Sequence, residues 1–333
     1  MDKIAKAEYR AFLGKLKDNI VLSRQKAYQA VNRHLVDLYL AIGKSIYEKV
    51  ELDKWGQGTV EMLAHDLQKE FPDMRGFSKE NLWRMKKIYE IYKDNQKLST
   101  LLTELPWSHN TLILNRTKTM GEREFYLKTA IDERWSFREF ERQIDSGLFE
   151  RYMLSNKTAG LIPVSKDKKD IFKDEYALDF LGLKDEYSEK VFQKSILNNL
   201  KQFILELGRH FAFVGEEYKI TVGGEDFKID LLFYHRVMRC LVAVELKIGH
   251  FKPEYSGKMQ FYLSALDEQE KLDGENPAVG LILCKSKNDE VVRIAISKAA
   301  SPLKISTYKT GIIDTKLLKN KLHSLPMPGL RDE

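Results

Sequence analysis

The chain has 333 residues, with 55 Lys and Arg against 49 Asp and Glu, and is 43% hydrophobic and 31% charged. That length exceeds a usual single core, so two domains are expected, and the composition excludes both a disordered chain and a membrane-embedded one. The net charge of +6 suits a nucleic-acid partner, yet residues 1 to 150 hold 26 Lys and Arg against 23 Asp and Glu and the rest 29 against 26, so a phosphate-binding surface must come from local clustering. No apolar run approaches the roughly 18 residues that a membrane span needs. The opening Met1-Asp2-Lys3-Ile4-Ala5-Lys6 lacks the apolar core and small-residue cleavage site of an export signal, so the expected location is the cytoplasm.

From Tyr28 to about Arg151 the apolar spacing is helical, with Val60, Leu63, Ala64 and Leu67 on one face and Leu82, Met85, Tyr89 and Tyr92 on another. Phe71-Pro72-Asp73-Met74-Arg75-Gly76-Phe77 reads as a loop, and Ser78 as the N-cap of the helix after it. Thr119 with Glu122, and Ser136 with Glu139, have capping-box spacing. Residues 1–151 therefore form an all-α domain. Its densest positive stretch is Arg75, Lys79, Arg84, Lys86 and Lys87, interleaved with Phe77 and Trp83 around a glycine-containing turn, which suggests a helix-turn-helix-like face with Lys79 and Arg84 as DNA contacts. A solvated helix surface would carry the same charges.

Periodicity fades over 152–187, which holds Pro163 and the charged run Lys166-Asp167-Lys168-Lys169-Asp170, so a linker is expected there. A second domain follows over 188–333. It opens with an amphipathic helix from Ser188 to Leu207, striped by Phe192, Ile196, Leu200, Phe203 and Leu207 and stopped by Gly208. The period then changes to two. His210 to Val214, Tyr218 to Val222, Phe227 to Tyr234 and Arg239 to Leu246 read as strand segments, and Gly223-Gly224 as a hairpin turn. Pro253 opens a helix to about Leu266, Val279 to Cys284 is a buried-type strand, Glu290 to Lys298 a helix, and Leu303 to Tyr308 a last strand. The order is α-β-β-β-α-β-α-β. Cys240 and Cys284 sit inside strands without His or Cys at metal-ligand spacing, and read as buried free thiols.

Two strands of this domain carry charges that an apolar strand does not need. Asp230 interrupts Phe227-Lys-Ile-Asp-Leu-Leu-Phe-Tyr234, and Glu245 and Lys247 close Leu241-Val-Ala-Val-Glu-Leu-Lys247. Side chains two apart on a strand share a face, so Glu245 and Lys247 point the same way, and Asp230 joins them if the strands pair. Two acids beside a core cost several kcal/mol unless compensated. Mg²⁺ or Mn²⁺ held by Asp230 and Glu245 supplies that compensation, because such an ion takes one or two carboxylates and keeps waters for a substrate phosphate. Lys247 then offsets charge developing on an attacked phosphodiester. An acid-x-Lys triplet is a weak signal by itself; what distinguishes Glu245-Leu246-Lys247 is its place at the end of an apolar strand, one strand after Asp230.

This order of elements, with an acid in the second hairpin strand and Glu-x-Lys in the next, resembles the PD-(D/E)XK nuclease superfamily. Phe203-Ile-Leu-Glu-Leu-Gly208, Val222-Gly-Gly-Glu-Asp-Phe-Lys-Ile-Asp-Leu-Leu-Phe-Tyr-His-Arg236, Val244-Glu-Leu-Lys247, Phe251-Lys-Pro-Glu254 and Gly280-Leu-Ile-Leu-Cys284 resemble its bacterial YhcG-like family. Ile42-Gly43, Trp55-Gly56, Gly76-Phe77-Ser78, Asn81-Leu82 and Trp107-Ser108-His109 are similar to that family's helical domain. The resemblance implies an α+β chain: an N-terminal all-α, DNA-binding domain, then an α/β restriction-endonuclease-like domain with a mixed central sheet. It implies a metal-dependent DNA endonuclease with Asp230, Glu245 and Lys247 as its triad, although the Pro of the eponymous motif is missing before Asp230. It also implies Glu206 as an acid of the first helix, serving as metal ligand or base, and Gln260 as a supporting residue on the helix after Glu-x-Lys.

Arg236, Lys252 and Lys258 suit phosphate contacts, and His235 is a weaker candidate base. The partners that such an enzyme implies are DNA, components of restriction-modification or DNA repair, and a second copy of the chain. A nucleic-acid-binding or interaction module that no longer cuts, and an RNA nuclease, stay open as alternatives.

Overall fold

The computed structural model describes residues 3–155, 171–183, 186–297, 299–311 and 314–323. The backbone divides into two compact units, with the boundary between Glu141 and Arg142.

The first unit is helical: α1 (Lys3–Leu52), α2 (Gln57–Glu70), α3 (Lys79–Tyr92), α4 (Gln96–Leu102), α5 (Trp107–Arg116), α6 (Met120–Glu133) and the start of α7 (Phe137–Asp145). The expected caps form: the side chains of Ser78, Thr119 and Ser136 accept from the backbone N–H of Asn81, Glu122 and Glu139, each at 3.3 Å. Tyr39, Ile46, Val60, Ala64, Phe77, Leu82 and Met85 form the core where α1, α2 and α3 meet. The crossing of α1 and α3 is close enough that a Cβ on Gly43 would stand 2.3 Å from the Met85 carbonyl oxygen, so only glycine fits. A helix-turn-helix joins its helices through about three to four residues. Here the eight residues Phe71 to Ser78 separate α2 from α3, so this pair departs from the compact motif that the sequence suggests.

The second unit starts within α7 and continues through α8 (Leu148–Ser155), β1 (Glu175–Ala177), a 3-10 turn (Asp179–Leu181), α9 (Glu189–Asn198), α10 (Leu200–Leu207), β2 (Phe211–Val222), β3 (Glu225–His235), β4 (Cys240–Leu246), α11 (Glu254–Gln269), β5 (Val279–Cys284), α12 (Asp289–Ile296), β6 (Leu303–Lys309) and α13 (Thr315–His323). Its sheet runs β1-β6-β5-β4-β3-β2. The β2–β3–β4 ladder is antiparallel and the β4, β5, β6 and β1 pairings are parallel, which makes the sheet mixed as expected.

Parallel strands buried on both faces read as unbroken apolar runs. Val279–Cys284 is buried throughout and Cys240–Leu246 nearly so, and both cysteines are buried free thiols. One face packs Phe192, Ile196, Phe203 and Leu207 of α9 and α10 on Leu231, Phe233, Val242 and Val244; the other packs Met259, Tyr262, Leu263 and Leu266 of α11 on Ile229, Leu232, Ala243 and Ile282.

The structure departs from the sequence reading at three places. The linker expected over 152–187 contains β1, which pairs in parallel with β6; a three-residue strand flanked by charges gives no periodicity to detect. Its charged run, residues 166–170, lies outside the described residues. The helix expected from Ser188 to Leu207 is two helices, broken at Asn199. His210 to Val214 and Tyr218 to Val222 are one strand, irregular between Phe213 and Gly215. The Gly223-Gly224 turn forms with both residues at positive φ, the geometry that lets a two-residue loop follow the strand twist.

Candidate active site

Four elements, β3, β4, α9 and α11, converge on Asp230 and Glu245. Asp230 sits where β3 changes its habit: Ile229 packs toward α11 while Leu231, two residues on, packs toward α9 and α10, although residues two apart normally share a face. The opposing stretch of β2 carries Glu217 at φ 41°, between the partners of Leu231 and Ile229. Leu231 pairs with Val244 of β4, which brings Asp230 beside the end of β4. There the Asp230 Oδ2 accepts the backbone N–H of Leu246 at 2.7 Å. From α9, the Gln193 side-chain amide donates to the Asp230 carbonyl oxygen at 3.1 Å.

Glu245 is only 2% exposed. Its Oε1 receives two ammonium groups, Lys247 Nζ at 3.0 Å and Lys258 Nζ of α11 at 2.6 Å. Its Oε2 is buried with no hydrogen-bond partner. Lys247 also reaches Glu189 Oε2 at 3.4 Å and lies over the Tyr255 ring, 5.4 Å from its centroid. The Lys247 backbone is fixed from both sides: its N–H donates to the Leu283 carbonyl at 2.8 Å, and the Tyr308 hydroxyl donates to its carbonyl at 3.1 Å.

Burial, reinforced by the neighbouring Glu245 charge, pushes the Asp230 carboxyl up to about 6. Burial works against the charge on Lys247, but Glu245, Glu189 and Asp230 outweigh it and raise the ammonium above its ordinary value. Lys258 is raised too, because Glu245 outweighs the cost of its burial. Asp230 is thus disfavoured as an anion, chiefly by burial, while each neighbouring lysine is held charged.

The structure brings together Asp230, Glu245, Lys247 and Lys258, and it places the other candidates elsewhere. Glu206 is fully buried on α10 in a cage of its own. Its Oε2 accepts from Arg142 at 2.6 Å and Gln143 at 2.9 Å; its Oε1 accepts from Ala177 N–H at 3.0 Å and faces Lys173 at 3.0 Å and Arg151 at 3.8 Å. With both oxygens engaged in that cage, Glu206 is not brought to Asp230 and Glu245. Gln260 is also committed, trading two hydrogen bonds with the backbone of Ser301 at 3.0 and 2.9 Å and so tying α11 to the approach of β6.

Arg236 and His235 are displaced by strand direction. Because β3 and β4 are antiparallel, His235 pairs with Cys240, at the opposite end of β4 from Glu245. Arg236 is exposed there, six residues beyond Asp230 or about 20 Å of extended chain. His235 is buried and its Nδ1 accepts the Met238 N–H at 3.0 Å, a turn-closing role. Lys252 is exposed on the loop before α11, and among the described residues it has no carboxylate within ion-pair distance. In the helical unit Lys79 is paired with Glu61 at 2.8 Å, whereas Arg84 is exposed and, among the described residues, has no carboxylate within ion-pair distance, although Glu80 one turn earlier feels its charge.

The sequence reading passed over Glu189, Gln193, Tyr255 and Tyr308. Glu189 and Gln193 are one helical turn apart on α9, on a face beside the apolar stripe of Phe192 and Ile196, and that spacing was the available signal. The two tyrosines gave none.

Residues 169–323 match the YhcG PDDEXK nuclease domain, and residues 15–151 match the DUF1016 N-terminal domain. The protein named "Putative nuclease YhcG" of Escherichia coli (strain K12) is 31% identical over 339 aligned positions, covering 90% of each chain. The chain therefore belongs to the YhcG family of PDDEXK nucleases. Among solved structures, a repair endonuclease from Pyrococcus abyssi and EndoMS in apo form are similar at 16% identity and a TM-score of 0.26 each, covering 39% and 37% of this chain and 50% and 48% of theirs.

The acids fit the divalent ion that such a fold implies. Among the described residues no group of three or more His, Cys, Asp and Glu side chains could hold a metal. Two carboxylates with retained waters are nevertheless an ordinary Mg²⁺ donor set, and the unpartnered Oε2 of Glu245 beside a protonatable Asp230 is a carboxylate pair short of positive charge. Among the described residues, no helix is long and apolar enough to cross a membrane.

Proposed function

We propose that this protein is a DNA endonuclease that hydrolyses phosphodiesters with Mg²⁺ or Mn²⁺. The observation that carries the reading is the half-satisfied Glu245 carboxylate, buried beside Asp230 and flanked by Lys247. Asp230 and Glu245 would hold the ion, which when bound offsets phosphate charge and makes water more acidic. Lys247 is fixed at its backbone and held charged, so its ammonium is pre-positioned against negative charge that builds up as water adds to phosphorus and the bond to the leaving sugar oxygen breaks. Glu189, 3.4 Å from that ammonium, replaces Glu206 as the helix acid of the site and orients Lys247. The helical unit would hold DNA through exposed cations such as Arg84, with Lys252 on the nuclease unit. The test is incubation of the purified chain with supercoiled, linear, branched and single-stranded DNA and with RNA, with and without Mg²⁺. Cleavage of DNA that EDTA abolishes supports the reading; cleavage of RNA alone, or of nothing with binding retained, replaces it.

A further inference from the structure

The two ammonium groups at Glu245 are not equivalent. Both reach the same oxygen, Oε1, while Oε2 is left buried and unpartnered. Lys247 has a side chain 12% exposed, a second carboxylate in Glu189 and a backbone pinned by Leu283 and Tyr308. Lys258 has a side chain 46% exposed, arises from the first turns of α11, and among the described residues has Glu245 as its sole carboxylate partner. Glu245 itself has a side chain only 2% exposed. A buried carboxylate without a countercharge is strongly disfavoured, so positive charge must stand beside Glu245 before any ion arrives. Lys258 supplies it from the half-solvated side.

Resting on the assignment of Asp230 and Glu245 to a divalent ion, we propose that Lys258 is a resident counter-ion of Glu245 which Mg²⁺ displaces. The ion takes the carboxylate and the ammonium swings away toward solvent, where the flexible four-carbon stem costs little to move. Two positive groups then compete for one carboxylate. Removing Lys258 should therefore strengthen ion binding, whereas removing a residue that supports the site would weaken it.

Calorimetric titration of Mg²⁺, and separately of Ca²⁺, into the full-length chain at one mildly alkaline pH distinguishes the two. Lys258→Met and Lys258→Gln, each confirmed folded by circular dichroism, should bind about tenfold more tightly than wild type. Unchanged or weaker binding in both overturns the exchange. In the wild-type chain, nitrogen-labelled lysine followed by NMR should show the Lys258 ammonium losing its ion pair as Mg²⁺ saturates; an ammonium that keeps it also overturns the exchange, whatever the variants do. Asp230→Asn separates this proposal from the one beneath it. If that change abolishes binding while the Lys258 variants match wild type, the metal site stands and the exchange falls. If wild type itself binds no ion, both fall.

Discussion

Glu206 and Glu245 lie in the same unit, both essentially buried and both surrounded by cations, and the difference between them separates structure from chemistry. Around Glu206 every bonding direction is taken: two arginines, a lysine, an amide side chain and a backbone N–H converge on two oxygens. Burial would push the carboxyl up, but Lys173, Arg151 and Arg142 hold it well below the usual carboxylate range. Around Glu245 two lysines crowd one oxygen, the other is bare, and a second acid stands alongside. A saturated buried charge is a fastener. An unsaturated one next to a like charge draws in something positive.

The largest effect expected from this contrast is on the fastener. Glu206→Ala leaves Arg142, Arg151 and Lys173 facing one another without their anion, and breaking a buried pair by removing one partner costs about 3–5 kcal/mol. Glu206→Gln keeps the shape and one acceptor but removes the charge, so it should lose somewhat less. The pH dependence has a definite sign. A carboxylate whose folded-state pKa is lowered stabilises the fold above its unfolded value near 4.3, and that contribution drains away as pH falls below it. Urea unfolding followed by fluorescence should therefore show wild type well above Glu206→Gln at neutral pH, with the gap closing below about pH 4. A gap that is constant with pH would mean that the cage is not electrostatic.

The next largest effect is on the unsaturated pair of acids and its lysine. Lys247→Ala should leave the fold and ion binding largely intact while single-turnover cleavage falls roughly 10²-fold or more, the usual loss for one electrostatic stabiliser. Lys247→Arg should rescue little, because a planar guanidinium cannot stand in for a compact ammonium. Cleavage at the wild-type rate in Lys247→Ala would return Glu245-Leu246-Lys247 to a strand-end ion pair. A third measurement addresses the pair of acids, Asp230 and Glu245, directly. Mg²⁺ at about 100 times its Kd should stabilise wild type by about 2.7 kcal/mol. That gain should vanish in Asp230→Ala, and identical melting midpoints in EDTA and Mg²⁺ for wild type would remove the metal site altogether.

The contrast also accounts for what the sequence could and could not disclose. Asp230, Glu245 and Lys247 were legible because an acid inside an apolar strand is energetically conspicuous and because two-residue spacing fixes a shared face. Glu206 carries the same signature, an acid on an apolar helix, and sequence has no means of showing that Arg142, Arg151 and Lys173, at separations of 64, 55 and 33 residues, saturate it. Arg236 was misplaced for a different reason: its nearness to Asp230 along the chain became distance once β3 ran antiparallel to β4. Strand β1 was invisible because three residues carry no period. Helix caps and the Gly223-Gly224 turn were legible because their chemistry is local.

The smallest effect carries the same distinction into the helical unit. Its cationic stretch reads in sequence as one positive face, but Lys79 is spent on Glu61, Lys86 on Glu51 and Glu90, and Lys87 on Glu90. Arg84 is exposed and, among the described residues, in no such ion pair, with Glu80 acting on it only at longer range. A cation already paired with a carboxylate must give up that pair before it can neutralise a phosphate, so its net gain on binding is small. If this face meets duplex DNA, Arg84→Ala should weaken binding across all sequences and reduce the slope of log affinity against log salt by about 0.9, the value for one lost phosphate contact. Lys79→Ala should change that slope by clearly less. Fluorescence anisotropy of full-length wild type and both single variants at several salt concentrations measures it. Equal slopes for Lys79→Ala and Arg84→Ala would show that ion pairing in the unbound protein does not decide which cations reach DNA, and slopes equal to wild type in both would move the binding surface away from α3.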